Sequence, residues 1–244
     1  MVWIVGHRGA RNLWPENSLD GFVRTRALGI EAVEFDIHPT RDGGLAVIHD
    51  PTLDRTTEGT GLVKDVTIGQ LGRTKLKGGN GEGIPMLNAV LDVFEGSGVE
   101  LHIELKTDAE DRPQPGLEHR VIEVIVRRRL QEQVILTCFT PEVLDTVRRL
   151  VPHQRVLASL NKASAERLGG LGHALDRFDA IGGCLVAIEK GLLAENFETC
   201  FERLGRDRLG VWVPNEPDDI GYWMAQPIRQ LTTDRPDIAV QYRK

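Results

Sequence analysis

Short apolar runs bounded by turn residues alternate along the chain with longer stretches whose apolar positions recur at helical spacing. That alternation marks a parallel sheet with crossover helices. Val2–Val5 predicts a first strand, Asn17–Leu28 a helix with an Asn/Ser start and Gly29 as its stop, and Ala32–His38 a second strand. Thr40 to Gly44 (TRDGG) is a turn, followed by a short extended piece, Leu45–Ile48. Residues 51–85 break the alternation: polar and Gly-rich, with weak helix signals, they predict an inserted segment. Met86–Glu95 predicts a helix and Val99–Leu105 a strand. Helices at 117–130, 141–150, 164–171, 189–204 and 218–225 then alternate with strands at 133–137, 155–158, 180–181, 209–213 and 229–232. A short last helix is expected after Pro236. The eight principal strands in this order suit closure into a TIM (β/α)8 barrel, an α/β fold, with residues 1–244 as one domain and an inserted subdomain at about 51–85.

At 244 residues the chain has the usual length of such a barrel and buries roughly three quarters of its unfolded surface. The formal charge of −6 provides no broad basic field for nucleic acid or an anionic membrane, so an anionic ligand must be captured by local groups. Cys138, Cys184 and Cys200 are an odd count without CxxC spacing and predict reduced interior thiols. The start of the chain reaches Gly6-His7 too early to hold a signal-peptide apolar region, and no apolar run has the length of a membrane span. A cytoplasmic protein is expected, and a homo-oligomer is compatible with this composition.

Four clusters carry candidate chemistry, each at or just beyond the C-terminal end of an early strand, where α/β barrels gather reactive groups. His7-Arg8 follows strand one and offers a proton carrier beside a planar cation, or, on the plain alternative, a satisfied turn histidine and a surface arginine. Glu34 and Asp36 lie two residues apart on one face of strand two, with Val33, Phe35 and Ile37 on the other. Two interior carboxylates cost several kcal/mol each unless paired or metal-bound, and a hard divalent cation is an economical partner. Glu104 and Lys106 repeat that spacing in the next principal strand, with His102 before them on the same face. Three carboxylates then make an oxygen ligand set for magnesium or calcium, although a structural ion pair is the alternative. His49-Asp50 lies near the barrel mouth, where His49 becomes a second proton carrier if it faces His7. Together these residues supply what metal-assisted phosphoester cleavage requires: oxygen ligands, two imidazoles and two phosphate-binding cations, Arg8 and Lys106.

Gly6–Gly9 (GHRG), Pro15–Ser18 (PENS), Glu34–Asp36 (EFD), Thr40–Gly43 (TRDG), His49–Thr57 (HDPTLDRTT), Ile84–Pro85 and Glu104–Lys106 (ELK) together resemble the glycerophosphodiester phosphodiesterase family. The match is dense over residues 3–106 and thinner beyond, where it rests on Phe139, Val211–Val213 and Thr233–Pro236. The resemblance implies a barrel carrying a small inserted subdomain over its mouth. It also implies Glu34, Asp36 and Glu104 as ligands of Mg2+ or Ca2+, His7 and His49 as the acid–base pair, and Arg8 and Lys106 as phosphate ligands. Asn17, Phe139 and Trp212 resemble residues that line the substrate end of the site; for the two aromatics, core packing is the alternative. The implied reaction is hydrolysis of a small-molecule glycerophosphodiester, such as glycerophosphocholine or glycerophosphoethanolamine, to glycerol 3-phosphate and an alcohol. Cys138 stands where the family usually has Ser, Trp212-Val213-Pro214 replaces Trp-Thr-Val, and Ile181–Leu185 matches poorly. A barrel phospholipase acting on phosphatidylinositol or a lysophospholipid, and a non-catalytic phosphate binder, are the rival functions. Neither an apolar rim at residues 74–83 nor a loss of the two histidines favours them.

Overall fold

The computed structural model describes residues 1–243. Its strands are β1 (Trp3–Gly6), β2 (Ala32–Pro39), β3 (Leu45–Val47), β4 (Glu100–Leu105), β5 (Val134–Cys138), β6 (Arg155–Leu160), β7 (Leu185–Glu189), β8 (Leu209–Trp212) and β9 (Gln230–Thr233). Its helices are α1 (Leu19–Ala27), α2 (Ile68–Leu71), α3 (Leu87–Phe94), α4 (Leu117–Arg128), α5 (Pro141–Leu150), α6 (Lys162–Arg167), α7 (Leu171–Asp179), α8 (Lys190–Glu195), α9 (Phe197–Arg208), α10 (Pro217–Met224) and α11 (Pro236–Ala239). Parallel pairing runs from β1 through β2, β4, β5, β6, β7, β8 and β9 and returns to β1, closing eight strands into a barrel. Among the described residues only β3 stands outside the ring, antiparallel to the end of β2.

Strand alternation sorts the residues of β2 cleanly. Val33, Phe35 and Ile37 point outward into the layer between barrel and helices. There Phe22 of α1 meets Phe35 and Phe94 edge-to-face, at ring separations of 5.5 and 6.0 Å. Burying each such ring contributes about 1.5–3 kcal/mol. Glu34, Asp36 and His38 take the opposite, inward face, and all three are buried. A thin apolar layer of Ile135, Leu157 and Ala187 fills the far side of the interior. Below it, at the N-terminal floor, Glu100 is surrounded by His102, Arg155 and Arg229.

Residues 51–85 contribute Leu53, Val63, Leu71, Leu76 and Ile84 to a small separate core with Ala46 and Ile48. The short bridges Thr52–Leu62 and Thr57–Leu76 tie this segment together, and Thr67 caps α2 in a reciprocal box with Gln70.

Four expectations from the sequence are corrected. The strand expected at 180–181 is the end of a helix and a turn, and the strand is Leu185–Glu189, whose Val186 and Ile188 are fully buried. The helix expected at 164–171 is broken by Gly169 and Gly170 (φ 90° and 102°), which only glycine tolerates without strain, so α6 and α7 are separate. The helix expected at 189–204 divides at Asn196 into α8 and α9. The start of α1 is also shifted: Ser18 caps it, accepting from the Gly21 N–H, while Asn17 lies outside the helix at φ 56°.

Candidate active site

The loop after β1 begins the site. Arg8, Ala10 and Asn17 all adopt left-handed backbone conformations (φ 49°, 64° and 56°). Strain of that kind in non-glycine residues persists where the surroundings dictate it, and it concentrates at functional sites. Here Arg8 and Asn17 both reach Asp36, Arg8 Nε at 3.4 Å and Asn17 Nδ2 at 2.9 Å. His7 Nδ1 donates to Asp234 Oδ1 at 2.6 Å, and Nε2 lies 3.8 Å from Glu34 Oε2. Asp234, fully buried just beyond β9, also takes Arg11 Nε at 2.9 Å and the Asn215 amide at 2.7 Å. A carboxylate at Nδ1 fixes the tautomer and leaves Nε2 as the free nitrogen of His7. Burial pushes the ring's pKa down despite Asp234, so His7 is neutral near pH 7.

Glu34, Asp36 and Glu104 meet beside it. Asp36 and Glu104 are direct partners across the β2–β4 ladder. Each of the three carboxylates offers an oxygen within 4.8 Å of the others. Two cations attend them: Lys106 Nζ lies 2.8 Å from Glu104 Oε1 and 3.6 Å from Asp36 Oδ1, and Arg8 Nε lies 3.4 Å from Asp36 Oδ2. Asn17 Nδ2 donates to Asp36 Oδ2 at 2.9 Å, and the Arg8 backbone N–H donates to Glu34 Oε2 at 3.1 Å. Glu34 Oε1 and Asp36 Oδ1 are nevertheless buried without a hydrogen-bond partner. Burial, then the charges of Asp36 and Glu104, push the Glu34 carboxyl well above its usual range. Burial works the same way on Asp36, but Arg8 and Lys106 outweigh it and hold that group well below the carboxylate range. Partnerless oxygens on converging carboxylates fit a hard divalent cation.

His49 enters from the segment following β3 and is partly exposed. Its Nδ1 donates to Asp50 Oδ1 at 2.6 Å, again freeing Nε2. Arg55 clamps Asp50 through Nε and Nη2 at 2.6 and 2.9 Å, and reaches both oxygens of Glu16 at 2.8 Å. Arg55 hydrogen bonds first, then His49, bring Asp50 down to about 2 against the opposing effect of burial. Glu16 in turn faces Arg8 at 3.2 Å, so one ionic chain links the two histidine-bearing segments.

His7, Arg8, Glu34, His49, Glu104 and Lys106 line a cleft of about 590 Å³ at the C-terminal end of the barrel. Phe139 and Trp212 form its far wall, edge-to-face with ring centroids 5.7 Å apart, and Trp212 Nε1 donates to the Ala187 carbonyl at 3.0 Å. Thr137, Ser159 and Thr232 continue the wall downward to Gln230. The sequence-predicted residues His7, Arg8, Glu34, Asp36, His49, Glu104 and Lys106 are thus brought together, with Asn17 behind Asp36 and both aromatics opposite. His102, although on the same face as Glu104, belongs to the barrel floor. Sequence reasoning assigned no role to Asp234, Asp50, Arg55, Arg11, His38 or Gln114. The first three stand within the quoted motifs, where adjacency to a histidine was the signal for Asp50. Gln114 has no local signal at all.

Comparison with known proteins follows the same outline. The model of the "Glycerophosphoryl diester phosphodiesterase family" matches residues 7–238. A glycerophosphodiester phosphodiesterase of Caldanaerobacter subterraneus subsp. tengcongensis is 35% identical over 158 residues, which are 63% of this chain and 64% of that protein. One from Bacillus subtilis is 31% identical over 196 residues, 68% of this chain and 65% of its own length. The matched part therefore spans slightly under two thirds of these relatives. Among solved structures, a candidate glycerophosphoryl diester phosphodiesterase from Agrobacterium tumefaciens superposes with a TM-score of 0.87 at 27% identity, covering 99% of this chain and 96% of the other. A phosphodiesterase from Oleispira antarctica, solved with the product sn-glycerol-3-phosphate, shares the fold at a TM-score of 0.78 and 22% identity, covering 98% of this chain and 96% of the other. Among the described residues no helix is long and apolar enough to cross a membrane. With a family match running across nearly the whole barrel and the motif residues gathered at one cleft, the chain belongs to the glycerophosphoryl diester phosphodiesterase family.

Proposed function

We propose that this protein hydrolyses glycerophosphodiesters to glycerol 3-phosphate and an alcohol, with a divalent cation, Mg2+ or Ca2+, held by Glu34, Asp36 and Glu104. One observation carries the reading: three converging carboxylates with two partnerless buried oxygens lie at a cleft shared with two imidazoles, each pinned at Nδ1 by its own carboxylate. A cation held by these three carboxylates would supply charge stabilisation for the phosphoryl oxygens. Arg8, buried, and Lys106, partly buried, both beside the carboxylates, bind and orient the phosphodiester as fixed positive charges. His7 Nε2 and His49 Nε2 move the protons. One ring takes a proton from the nucleophile, either the adjacent glycerol hydroxyl or a water, and the other donates to the departing alcohol oxygen. In the route through a cyclic phosphate the roles exchange in the second half, when water opens the ring. Asp234 and Asp50 keep each imidazole in the tautomer that leaves Nε2 available. Phe139 and Trp212 offer an apolar wall to the substrate, and Asn17 orients Asp36. The product found in the Oleispira antarctica relative, glycerol 3-phosphate, is the one expected here. Residues 51–85 act as an inserted subdomain of the single barrel domain, carrying Arg55 to the mouth. Three buried free thiols, with burial pushing Cys138 and Cys184 up to about 12, fit a reducing cytoplasmic setting.

The test is release of glycerol 3-phosphate from glycerophosphocholine in a coupled assay, with lysophosphatidylcholine as the competing substrate. Turnover should vanish with chelator and return with Mg2+ or Ca2+. His7→Ala and His49→Ala should each lower kcat by at least about 10²-fold. Near-normal turnover of both variants refutes the acid–base assignment, and preference for lysophosphatidylcholine transfers the activity to the phospholipase class.

A further inference from the structure

The geometry points to His38 and Gln114 as a positioning relay that fixes the main chain of His49 relative to the barrel, an inference resting on the proton-transfer role proposed for His49. His38 follows Glu34 and Asp36 on the inward face of β2 and is only 2% exposed. It is outside both the carboxylate cluster and the cleft lining. Both of its ring nitrogens are nevertheless engaged. Nε2 lies 3.0 Å from the His49 carbonyl oxygen, and Nδ1 lies 2.9 Å from Gln114 Nε2. Gln114 Nε2 also lies 2.9 Å from the Lys106 carbonyl oxygen.

These contacts admit one polarity. The Lys106 carbonyl only accepts, so the Gln114 amide must present nitrogen there; the flipped amide would set two oxygens against each other. That nitrogen's second hydrogen then points at His38 Nδ1, which must accept. The ring proton therefore sits on Nε2, and Nε2–H donates to the His49 carbonyl. A buried pair of side chains thus joins the backbone of His49 to the backbone of Lys106, the two segments that carry a proposed proton carrier and a proposed phosphate ligand.

His49 needs such an anchor. Asp50 orients its ring, but Asp50 is the next residue and moves with the same segment. Arg55 ties Asp50 to Glu16 from a half-exposed position, where water competes for every contact. The Ile48 N–H holds the preceding residue to the Asp36 carbonyl at 3.1 Å, and the His38 contact extends that hold to His49 itself, from the strand that also places Glu34 and Asp36. A displacement of about 1 Å at a reacting group costs on the order of 10²-fold in rate. His38 is accordingly a positioning residue, which acts through His49 without touching substrate.

The test is a double-mutant cycle between positions 38 and 49, read as kcat for glycerol 3-phosphate release. His38→Phe keeps the ring shape and removes both nitrogens; it should lower kcat by about 10- to 100-fold in the otherwise intact protein. In the His49→Ala background the same substitution should change kcat by less than about twofold. His38→Gln, which retains a donor toward the His49 carbonyl, should recover most of the loss. Calorimetric titration of the divalent cation should give the same affinity for His38→Phe as for the unmodified protein. Should His38→Phe not fold, the cycle is run with Gln114→Met, whose penalty must likewise shrink when His49 is Ala. An equal penalty in both backgrounds, or a His38→Gln variant no better than His38→Phe, overturns the relay while leaving the assignment of His49 intact. Normal turnover of His49→Ala overturns both.

Discussion

Replacing Glu34 with Gln should make the metal-free protein more stable while removing its response to metal. At the 4.8 Å limit of the cluster, two carboxylate charges repel by about 3.5 kcal/mol at an effective dielectric constant near 20. Glu34 has two such neighbours, Asp36 and Glu104, giving about 7 kcal/mol of gross repulsion, which Arg8 offsets only in part. Burial, and then this repulsion from Asp36 and Glu104, raise the Glu34 pKa well above 4.5. An acid whose pKa is raised on folding contributes stability that is fully present below its unfolded value and is lost as pH climbs through the folded one. In chelator, the unmodified protein should therefore lose stability as pH rises above about 4.5, and Glu34→Gln should flatten that decline. Gln keeps the acceptor for the Arg8 backbone N–H and discards the charge. A gain of about 1–2 kcal/mol at pH 7, or ~2–8 °C in Tm for a chain of this size, is expected. With Mg2+ or Ca2+ at 100 times its dissociation constant, the unmodified protein should gain about 2.7 kcal/mol more, and the variant nearly nothing. Thermal scans in chelator and in each cation measure both arms. A variant that melts below the unmodified protein in chelator, or that keeps the full metal-induced shift, refutes the reasoning.

Two further substitutions probe charge networks with the opposite sign or a different readout. Glu100, held down to about 2 by His102 and Arg229 against the effect of burial, stabilises the fold above pH 4.5 and loses that contribution as pH falls from 4.5 toward 2. Glu100→Gln should cost about 3–5 kcal/mol at pH 7, by leaving Arg155 and Arg229 short of their partner, and should flatten the acid limb of a Tm-versus-pH curve; an unchanged limb contradicts this. Arg55→Lys keeps the charge but loses the fork that spans Asp50 and Glu16. Because Arg55 is half exposed, stability should move by less than about 1 kcal/mol, whereas kcat should fall about tenfold through a freer His49; a wild-type kcat removes Arg55 from the positioning chain.

The proposed carboxylate ligands were legible in sequence because strand periodicity puts them on one face, whereas His7, Arg8 and His49 lie in turns beyond strand ends and stood out through the motifs that resemble the family. Glu34 and Asp36 share a face by spacing alone, and Val33, Phe35 and Ile37 identify the other face as the one packed on helices. The groups that hold the histidines were not legible in the same way. Asp234 reaches His7 across 227 positions, and Gln114 reaches His38 across 76, so no local pattern announces either contact. Such pairings exist only once the barrel has closed. Secondary structure failed where apolar content was short and glycine decided the outcome. Ile181 looks like strand but packs beneath a helix end, while Gly182 and Gly183 turn the chain into the true strand at Leu185.

The two ends of the barrel interior show why the site lies where it does. At the floor one carboxylate, Glu100, meets two guanidinium groups and an imidazole, and all of its oxygens are satisfied. At the mouth three carboxylates share Arg8 and Lys106, and two of their buried oxygens have no partner. Both ends are buried and charged, so burial alone does not mark function. The difference is saturation. A network with every lone pair engaged stabilises a fold and has nothing left to offer a ligand. A network short of positive charge is unstable in isolation and gains most from a cation that the sequence itself does not supply. The contrast predicts opposite signs for the same Glu→Gln change, stabilising at position 34 and destabilising at position 100. A pair of melting curves in chelator therefore separates a binding site from a structural ion network without any substrate being present.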